Sequence, residues 1–427
     1  MKILFLAPVG SLTSIAFKLQ EEGHTVYFWD PTEGNTGKGI LKHEIKDWKP
    51  LAQSVDLIVS DNVDIDGDEL RKYKKPVVAG NRLFNKIEND RLFGKMAFQN
   101  LGLTTSDCVH FNSFPKAMEF VKANPGRWVF KANGQASRTL GFVAKDESGK
   151  DMLERLAFYE SHMKSNRKLW DKKLGVDFVL ERAVDGIEVA CGAYWDGTDF
   201  VGLNINWEHK RLGVGNVGVA TGEMGTAVYE ITSAARIYRD TLAKLKPLLS
   251  VSPYSTYVDL NMIVNEKNAY VLEITSRTGY PMEAALDYMS TLSTGARLLS
   301  LGSGKLHNVK NLFQHKYGLA VVCGTFGLPF QIAYDEYGAN QPFAFDPKDS
   351  DNIYLDDVYQ DKNHYMTSKG GEGWICTVTT CDDTISGARE KAFDIVDRLS
   401  LPGLIYRKDI GEKVSEHIDQ LKKWGWL

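Results

Sequence analysis

The sequence has few cysteines, no long apolar run and no excess of charge of one sign. Its five cysteines lie far apart and form no C-x-x-C pair, which argues against a disulfide framework or a zinc site and favours reduced thiols in the cytoplasm. No apolar stretch approaches the roughly 20 residues of a membrane span. The formal net charge is −4 and the basic residues are spread along the chain, so we expect neither nucleic acid nor a membrane as a partner.

The N-terminal part of the chain alternates between apolar runs and a helical pattern. Apolar runs predict strands at 2–7, 25–30, 55–60 and 76–79, with a helix over 11–22 between the first two. Such an order predicts a small doubly wound sheet that binds ligands at the carboxyl ends of its strands. The first turn contains one glycine, Gly10, and no G-x-G-x-x-G fingerprint. The dinucleotide site that a dehydrogenase would need is therefore weakly supported.

The stretch over residues 257–281 is predicted to form two strands joined by a short polar turn. Apolar and polar residues alternate on both strands, as in a half-buried antiparallel pair. A three-residue loop at 265–267 would place Asp259 directly opposite Glu273, with Cβ atoms roughly 5 Å apart. Two carboxylates at this distance suit a hard divalent ion such as Mg²⁺. The polar face of a solvated sheet would give the same alternation.

Several charged residues stand at the ends of apolar strands or beside glycine-rich loops. Lys131 ends the apolar run 128–131, where its ammonium group needs an anion. The small-residue loop 132–141 that follows offers backbone N–H groups to phosphates. A second apolar run ends at Glu181, and charge is concentrated at 208–211 beside the glycine-spaced loop 213–225. Each feature alone is typical of a solvated surface, but the ordered series indicates a site.

This series resembles the motifs of the ATP-grasp ligases, and within them those of the phosphoribosylamine–glycine ligases. VFKANG at 129–134 resembles V-x-K-A-D-G, LERAVDGIE at 180–188 resembles E-E-F-L-x-G-x-E, and WEHKR at 207–211 resembles Q-D-H-K-R. TGEMG at 221–225 resembles T-G-G-M-G, and LEITSRTGYPME at 272–283 resembles L-E-F-N-C-R-F-G-D-P-E. SKGGEGWICTVT at 368–379 resembles S-G-G-R-V-L-x-V-T, and YRKDIG at 406–411 resembles R-K-D-I-G. The resemblance covers nearly the whole chain.

The resemblance implies a protein of mixed α/β and α+β class with the ATP-grasp fold. It divides the chain into an N-terminal Rossmann-like pre-ATP-grasp domain at 1–89, an ATP-grasp domain at 90–303 and a C-terminal α/β cap domain at 316–427. It implies an ATP-dependent ligase that joins a carboxylate to an amine through an acyl phosphate, with ATP and Mg²⁺ or Mn²⁺ as cofactors. The partners would be small molecules, a carboxylate such as glycine and an amine, and the oligomeric state is left open.

The resemblance also implies roles for individual residues. The ATP-binding residues would be Lys95, Lys131, Ser137, Glu181, Ala183 and Glu188. The metal ligands would be Asp259, Glu273 and Thr275. Lys210 and Arg277 would be catalytic, because they are placed to stabilise charge on the transferring phosphoryl group. The substrate contacts would be Gly10, Ser11, Glu208, Thr221, Glu223 and Arg277.

The acceptor side departs from the family pattern. The family segment G-G-R-E-H, associated with the phosphate of phosphoribosylamine, is replaced by Val-Gly-Ser-Leu-Thr at 9–13, and Glu223 stands where the family has a glycine. We therefore expect an acceptor other than phosphoribosylamine, or a phosphate that is held differently. The alternatives are glycinamide ribonucleotide synthesis itself, in purine metabolism, and a nucleotide-binding protein without ligase activity.

Overall fold

The N-terminal part of the chain forms a five-stranded parallel sheet in the computed structural model, which describes residues 1–8, 12–62, 65–134, 140–163, 165, 167–170, 172, 175–251 and 254–427. Its elements are β1 (Lys2–Leu6), α1 (Thr13–Glu21), β2 (Thr25–Trp29), β3 (His43–Glu44), β4 (Leu57–Ser60), α2 (Gly67–Arg71) and β5 (Val77–Val78). The strand order is β3-β2-β1-β4-β5, which confirms the predicted N-terminal sheet. β1 is a continuous apolar run because Phe5 packs into the main core and Leu4 into a second cluster on the other face.

A four-stranded antiparallel sheet with its own core follows. Its elements are α3 (Arg82–Asn89), α4 (Arg91–Asn100), β6 (Cys108–Phe111), α5 (Phe114–Ala123), β7 (Trp128–Ala132), β8 (Phe142–Val143), α6 (Lys150–Ser161), a 3₁₀ turn (Arg167–Leu169) and β9 (Phe178–Arg182). The strand order is β6-β9-β7-β8. Aromatic rings fill the core of this lobe, and Phe130 and Phe178 lie 4.7 Å apart between ring centroids. Asp90 begins α4, because its side chain accepts a hydrogen bond from the backbone N–H of Phe93 (3.0 Å).

The remainder of the chain is organised around an eight-stranded antiparallel sheet. Its strands and the neighbouring hairpin are β10 (Ile187–Trp195), β11 (Phe200–Glu208), β12 (Arg211–Gly213), β13 (Val217–Ala220), β14 (Gly225–Glu230), β15 (Thr256–Val264), β16 (Ala269–Thr275), β17 (Tyr317–Gly324), β19 (Ile353–Leu355) and β22 (Trp374–Asp382). A small sheet contains β18 (Pro342–Phe343), β20 (Val358–Asp361) and β21 (His364–Thr367). The helices are α7 (Arg236–Asp240), α8 (Lys246–Leu249), α9 (Met282–Met289), α10 (Thr294–Gly302), α11 (Gln331–Tyr337), α12 (Ile385–Val396) and α13 (Val414–Lys423).

The order of the large sheet is β16-β15-β10-β11-β14-β17-β22-β19. The pairing of β14 with β17 joins strands from the predicted ATP-grasp segment to strands from the predicted C-terminal segment. The division into domains at 1–89, 90–303 and 316–427 stays a prediction. Within the described part of the chain, none of the helices has both the length and the apolar character needed to cross a membrane.

The β15–β16 hairpin has a different register from the predicted one. Val264 pairs with Ala269, so the turn spans 265–268 and is one residue longer than predicted, and a bulge in β16 shifts the register further. The prediction that Asp259 lies directly opposite Glu273 is therefore wrong. The pairs on the polar face are Asp259 with Thr275 and Asn261 with Glu273. All four side chains still share one face of the hairpin.

A buried ionic network, which the sequence did not indicate, fastens β10 to the helices beside it. Arg297 of α10 is fully buried and donates hydrogen bonds to Glu283 (2.6 Å), Asp287 (2.5 Å) and the Tyr194 hydroxyl of β10 (2.7 Å). Two carboxylates and a hydroxyl accept hydrogen bonds from its two terminal nitrogens and neutralise the buried charge, while the Nε atom has no partner among the described residues. This network fixes β10, which is the neighbour of β15 in the sheet.

Candidate active site

Two lysines from different elements converge on one buried carboxylate. Glu181, at the end of β9, is 2% exposed, and its Oε2 lies 3.1 Å from Nζ of Lys95 and 3.3 Å from Nζ of Lys131. Burial acts to raise the pKa of Glu181, but the charges of Lys131 and Lys95 outweigh it and hold this pKa below its ordinary value. The anion that the sequence required for Lys131 is therefore Glu181.

The second oxygen of Glu181 is a candidate ligand contact. Oε1 is buried and has no hydrogen-bond partner among the described residues. A buried acceptor without a donor is unfavourable, so it indicates a place for a donor from a ligand. The backbone N–H of Ala183, two residues further, donates to the carbonyl of Arg127 (3.0 Å), and Glu188 is exposed at the start of β10. Ser137 lies outside the described residues.

Lys210 stands between two carboxylates at the end of β11. Its Nζ lies 2.8 Å from Glu208 and 3.3 Å from Glu273, whose other oxygen accepts a hydrogen bond from Arg91 (3.1 Å). Burial acts to lower the pKa of Lys210, but Glu208, Glu273 and Glu188 outweigh it and raise this pKa well above its ordinary value. The charge of Lys210 also holds the pKa of Glu273 below its usual range, against the effect of burial. Both groups therefore stay charged across the physiological range.

Two further carboxyl groups lie beside Lys210 and are almost fully buried. Asp259 is 3% exposed and accepts hydrogen bonds from the Asn206 amide at 3.2 and 3.1 Å. Burial, together with the charge of Glu208, raises the pKa of Asp259 to about 8. The same two causes raise the pKa of Glu223 well above its ordinary value, and its Oε1 has no partner among the described residues. The cluster holds more carboxyl groups than its cations can neutralise.

The oxygen donors of this cluster fit a hard divalent ion. The carboxylates of Asp259 and Glu273, the amide of Asn261 and the hydroxyl of Thr275 share the polar face of the hairpin. Mg²⁺ commonly binds one or two carboxylates and completes its shell with water and substrate phosphates. Within the described residues, no group of three or more His, Cys, Asp or Glu could hold a metal ion by itself. The arrangement therefore suits an ion that arrives with a nucleotide.

Gly192 of β10 is a site residue that the sequence did not reveal. It pairs with Asp259 on the neighbouring strand, and a Cβ atom at Gly192 would lie 2.6 Å from the Oδ1 atom of Asp259. A side chain there would collide with the Tyr257 hydroxyl and displace the carboxylate. The available signal was a glycine inside an otherwise apolar strand, which often marks a close approach of other groups.

The hairpin that follows Lys210 is held by residues from the far end of the chain. Arg407 is 1% exposed and donates to the carbonyl of Arg211 and to the side chain of Asn216, both at 2.9 Å. Asp409, which pairs with Arg407, accepts a hydrogen bond from the backbone N–H of Gly215 (2.9 Å). The R-K-D-I-G resemblance at 406–411 thus has a structural role that was not predicted, because it fixes the β12–β13 hairpin.

Of the remaining predicted residues, Thr221 lies beside Lys210 and Arg277 lies further towards the N-terminal sheet. The backbone N–H of Thr221 donates to the carbonyl of Lys210 (2.9 Å). The Nε atom of Arg277 lies 3.2 Å from Glu88, and charge from Glu208 also reaches this guanidinium. Arg277 therefore lies between the Lys210 cluster and the N-terminal part of the chain. Gly10 and Ser11 lie outside the described residues.

The chain is similar in sequence to known proteins of one kind. Residues 89–282 match the family model of the phosphoribosylglycinamide synthetase ATP-grasp (A) domain. The chain is 22% identical to a phosphoribosylamine–glycine ligase of Fusobacterium nucleatum, over 96% of this chain and 98% of that protein. A Clostridium acetobutylicum protein of the same name is 20% identical, over 96% of this chain and the whole of that protein.

Solved structures show the same fold. The crystal structure of phosphoribosylamine–glycine ligase from Thermotoga maritima superposes with a TM-score of 0.71 at 19% identity, over 96% of this chain and all of that one. The biotin carboxylase domain of a Hydrogenobacter thermophilus 2-oxoglutarate carboxylase, solved with MgADP, superposes with a TM-score of 0.66 at 10% identity, over 99% of this chain and 93% of that one. The predicted ATP-grasp fold is confirmed, and over nearly its whole length the chain is similar in sequence to ligases of the phosphoribosylamine–glycine ligase type.

Proposed function

We propose that the protein joins a small carboxylate to an amine at the expense of ATP, with Mg²⁺ or Mn²⁺ as the metal. The observation that carries this proposal is the position of Lys210, which lies between Glu208 and Glu273 beside the buried Asp259. One cation among several carboxyl groups is suited to a nucleotide that brings its own metal and its own negative charge. The match of residues 89–282 to the ATP-grasp family model supports it.

The reaction that we propose has two steps. An oxygen of the substrate carboxylate attacks the γ-phosphorus of ATP, ADP leaves, and an acyl phosphate forms. The amine then attacks the acyl carbon, inorganic phosphate leaves with the electron pair of the broken bond, and the amine loses a proton. Lys210 and Arg277 would stabilise the negative charge on the phosphoryl group during the first step. The bound metal would add Lewis-acid stabilisation of the phosphate oxygens.

The Glu181 cluster would hold the nucleotide. Lys95 and Lys131 lie close enough together to share one carboxylate, and a phosphate would offer them a second anion. The unpartnered Oε1 of Glu181 would accept a hydrogen bond from the amino group of adenine, and Glu188 would accept hydrogen bonds from the ribose hydroxyls. Asp259, Glu273 and Thr275 would bind the metal, and Asn261 could add its amide oxygen.

Glu223 would act on the amine. Its buried carboxyl group, whose Oε1 atom has no partner among the described residues, lies in the charge field of Lys210, and burial keeps its proton affinity high. A carboxylate with a raised pKa can accept the proton that the amine must lose when the amide bond forms. Glu208 and Thr221 would line the same space.

A second candidate function, glycinamide ribonucleotide synthesis, is favoured by the names of the two bacterial relatives. We also propose a cytoplasmic location, since all five cysteines are free thiols.

The test is ADP release by the purified full-length chain with ATP, Mg²⁺, a carboxylate and an amine. We expect release only when both substrates are present, together with a product whose mass is the sum of the two substrates less water. Equal ADP release without the amine, or no product with any pair of substrates, would contradict ligation. ATP binding without turnover would instead support a nucleotide-binding protein, and a change in reduced-cofactor absorbance would support a dehydrogenase.

A further inference from the structure

A further buried carboxyl group lies away from the Lys210 cluster and has no cation beside it among the described residues. Asp356, which follows β19, is 5% exposed, and its Oδ2 accepts hydrogen bonds from the hydroxyls of Tyr280 (3.0 Å) and Thr377 (3.2 Å). Its Oδ1 is buried without a hydrogen-bond partner, and Asp356 forms no salt bridge within the described part of the chain. Burial raises the pKa of Asp356 to about 8, and the neighbouring Asp357 adds to this effect. This carboxyl group therefore needs a donor, and preferably a cation.

Two stacked aromatic rings lie against Asp356. Tyr280 and Trp374 are both half-buried, and their ring centroids lie 5.1 Å apart. The Nε1 atom of Trp374 and the hydroxyl of Thr278 are also buried without hydrogen-bond partners among the described residues. Half-buried aromatic rings beside a carboxyl group are suited to an ammonium group, which is attracted by the rings as well as by a carboxylate. The partnerless Oδ1 atom of Asp356, next to an aromatic pair, indicates a place for a ligand.

The position of Trp374 is fixed by the second aspartate. The Oδ2 atom of Asp357 accepts hydrogen bonds from three consecutive backbone N–H groups, those of Glu372 (3.0 Å), Gly373 (2.9 Å) and Trp374 (3.2 Å). Asp357 is 6% exposed, and its donors leave it little capacity for a ligand. Asp357 is therefore a positioning residue, whereas the Oδ1 atom of Asp356 has no hydrogen-bond partner among the described residues.

The Asp356 site also occupies one end of α1. Ser14, in the first turn of this helix, is buried and its side chain hydrogen-bonds to Asp356. The N-terminal end of a helix attracts an anion, and here a protein carboxylate already takes advantage of that field. A phosphate at the same place would meet the charges of Asp356 and Asp357 instead of an unfilled helix end. The surroundings therefore favour a cationic group and disfavour a phosphate.

The Asp356 site is close in the chain to Arg277, a residue of the proposed phosphoryl-transfer site. Tyr280 follows Arg277 by three residues, which span at most about 11 Å when fully extended. Charge from Glu208, in the Lys210 cluster, reaches Arg277. A small molecule with two functional groups would therefore extend from the Lys210 cluster to Asp356.

We propose that Asp356, Tyr280 and Trp374 bind a positively charged nitrogen of the acceptor, so that the acceptor is an amine with a second cationic group and without a phosphate at this position. This inference rests on the proposed ligase function for its role in catalysis, but the binding site itself can be tested without turnover. It also gives a physical reason for the altered segment at 9–13, since a phosphate would no longer need to be held there.

The experiment is calorimetric titration of the full-length chain with 1,4-diaminobutane as the cationic probe, 1,4-butanediol as its uncharged match and ribose 5-phosphate as the phosphate probe. We expect the diamine to bind at least tenfold more tightly than either of the other two. Asp356→Asn should weaken diamine binding at least tenfold, since an amide keeps the volume but cannot ionise beside a bound cation. Asp361→Asn, at an exposed aspartate at the end of β20, is the matched control and should leave the affinity unchanged.

Tighter binding of ribose 5-phosphate, or equal diamine binding by Asp356→Asn and the wild type, would overturn the inference. If Asp356→Asn does not fold, Trp374→Leu replaces it and should weaken diamine binding several-fold, whereas unchanged binding would count against the site. ADP release is measured separately with the same amines. Failure to release ADP with any substrate pair would overturn the ligase proposal, while the titration would still decide whether Asp356 binds a cation.

Discussion

Replacing Glu181 with glutamine leaves Lys95 in the protein interior without a carboxylate partner. The side chains of Lys95 and Glu181 are each 3% exposed, so neither charge can be compensated by water without a structural change. Removing one partner of a buried ion pair costs about 3 to 5 kcal/mol of unfolding free energy. Lys95 keeps its hydrogen bond to the carbonyl of Val271 (3.0 Å), and Lys131 is 19% exposed and can reach water. We therefore expect a loss near the lower limit, about 3 kcal/mol.

The loss should also depend on pH. In the Glu181→Gln variant, burial is no longer opposed by a carboxylate, so the pKa of Lys95 should fall further below its unfolded value of about 10.4. Between these two pKa values the unfolded chain binds more protons than the folded one, and the free energy of unfolding rises with pH. Burial already lowers the pKa of Lys95 in the wild type, so the same trend should be present there but weaker.

The assay is urea unfolding at pH 7 and pH 9, followed by the fluorescence of tryptophans in the core of the same lobe, Trp128 and Trp170. Lys95→Met combined with Glu181→Gln should cost less than the sum of the single changes, because neither buried charge is then left alone. Glu160→Gln, at an exposed position of α6, should change the unfolding free energy by less than about 0.5 kcal/mol. A cost below about 1 kcal/mol for Glu181→Gln, or strictly additive costs, would refute this reasoning.

Three further variants address the Lys210 cluster and the lysine at the end of β7. Glu273→Gln should reduce ADP release at least about 100-fold, since it removes a ligand charge from the proposed metal site. The free energy of unfolding in urea should change by about 1 kcal/mol or less, because the side chain is 36% exposed. Near wild-type turnover would exclude this role. Lys131→Met should raise the KM for ATP and slow phosphoryl transfer by about 10-fold in total, as single-turnover kinetics would report, and unchanged kinetics would leave Lys131 a structural partner of Glu181. Gly192→Ala should lower the free energy of unfolding in urea by about 1 to 3 kcal/mol, because the new Cβ displaces Asp259. The same displacement should weaken the dependence of ADP release on Mg²⁺. A metal titration identical to the wild type would contradict this.

Sequence reasoning was most successful where a pattern is local. The apolar runs of the N-terminal sheet and the polar face of the β15–β16 hairpin follow from alternation and from strand length alone. The register of that hairpin did not follow, because the bulge in β16 depends on packing against the rest of the sheet. Lys131 needed an anion, as expected, but Glu181 could be recognised as that anion only after β7 and β9 were paired.

Contacts between distant parts of the chain were beyond prediction. The pairing of Arg407 and Asp409 with the β12–β13 hairpin joins segments that no periodicity relates, and the same holds for Asp356 and Tyr280, which are 76 residues apart. The Asp356 site was missed for a further reason. A pair of aspartates after an apolar strand is a common surface feature, and the burial of Asp356 depends on contacts with α1 and β22.

The hydrogen bond from Gly215 to Asp409 affects the order in which the surroundings of Lys210 are completed during synthesis. The two residues are 194 positions apart, which corresponds to about 10 to 40 s of translation at 5 to 20 residues per second. During that interval Lys210 and its hairpin have left the ribosome, but the residues that fasten the hairpin have not. A nascent chain would therefore carry the β12–β13 hairpin without these hydrogen bonds until its last segment had emerged, and a chain released early would lack them altogether.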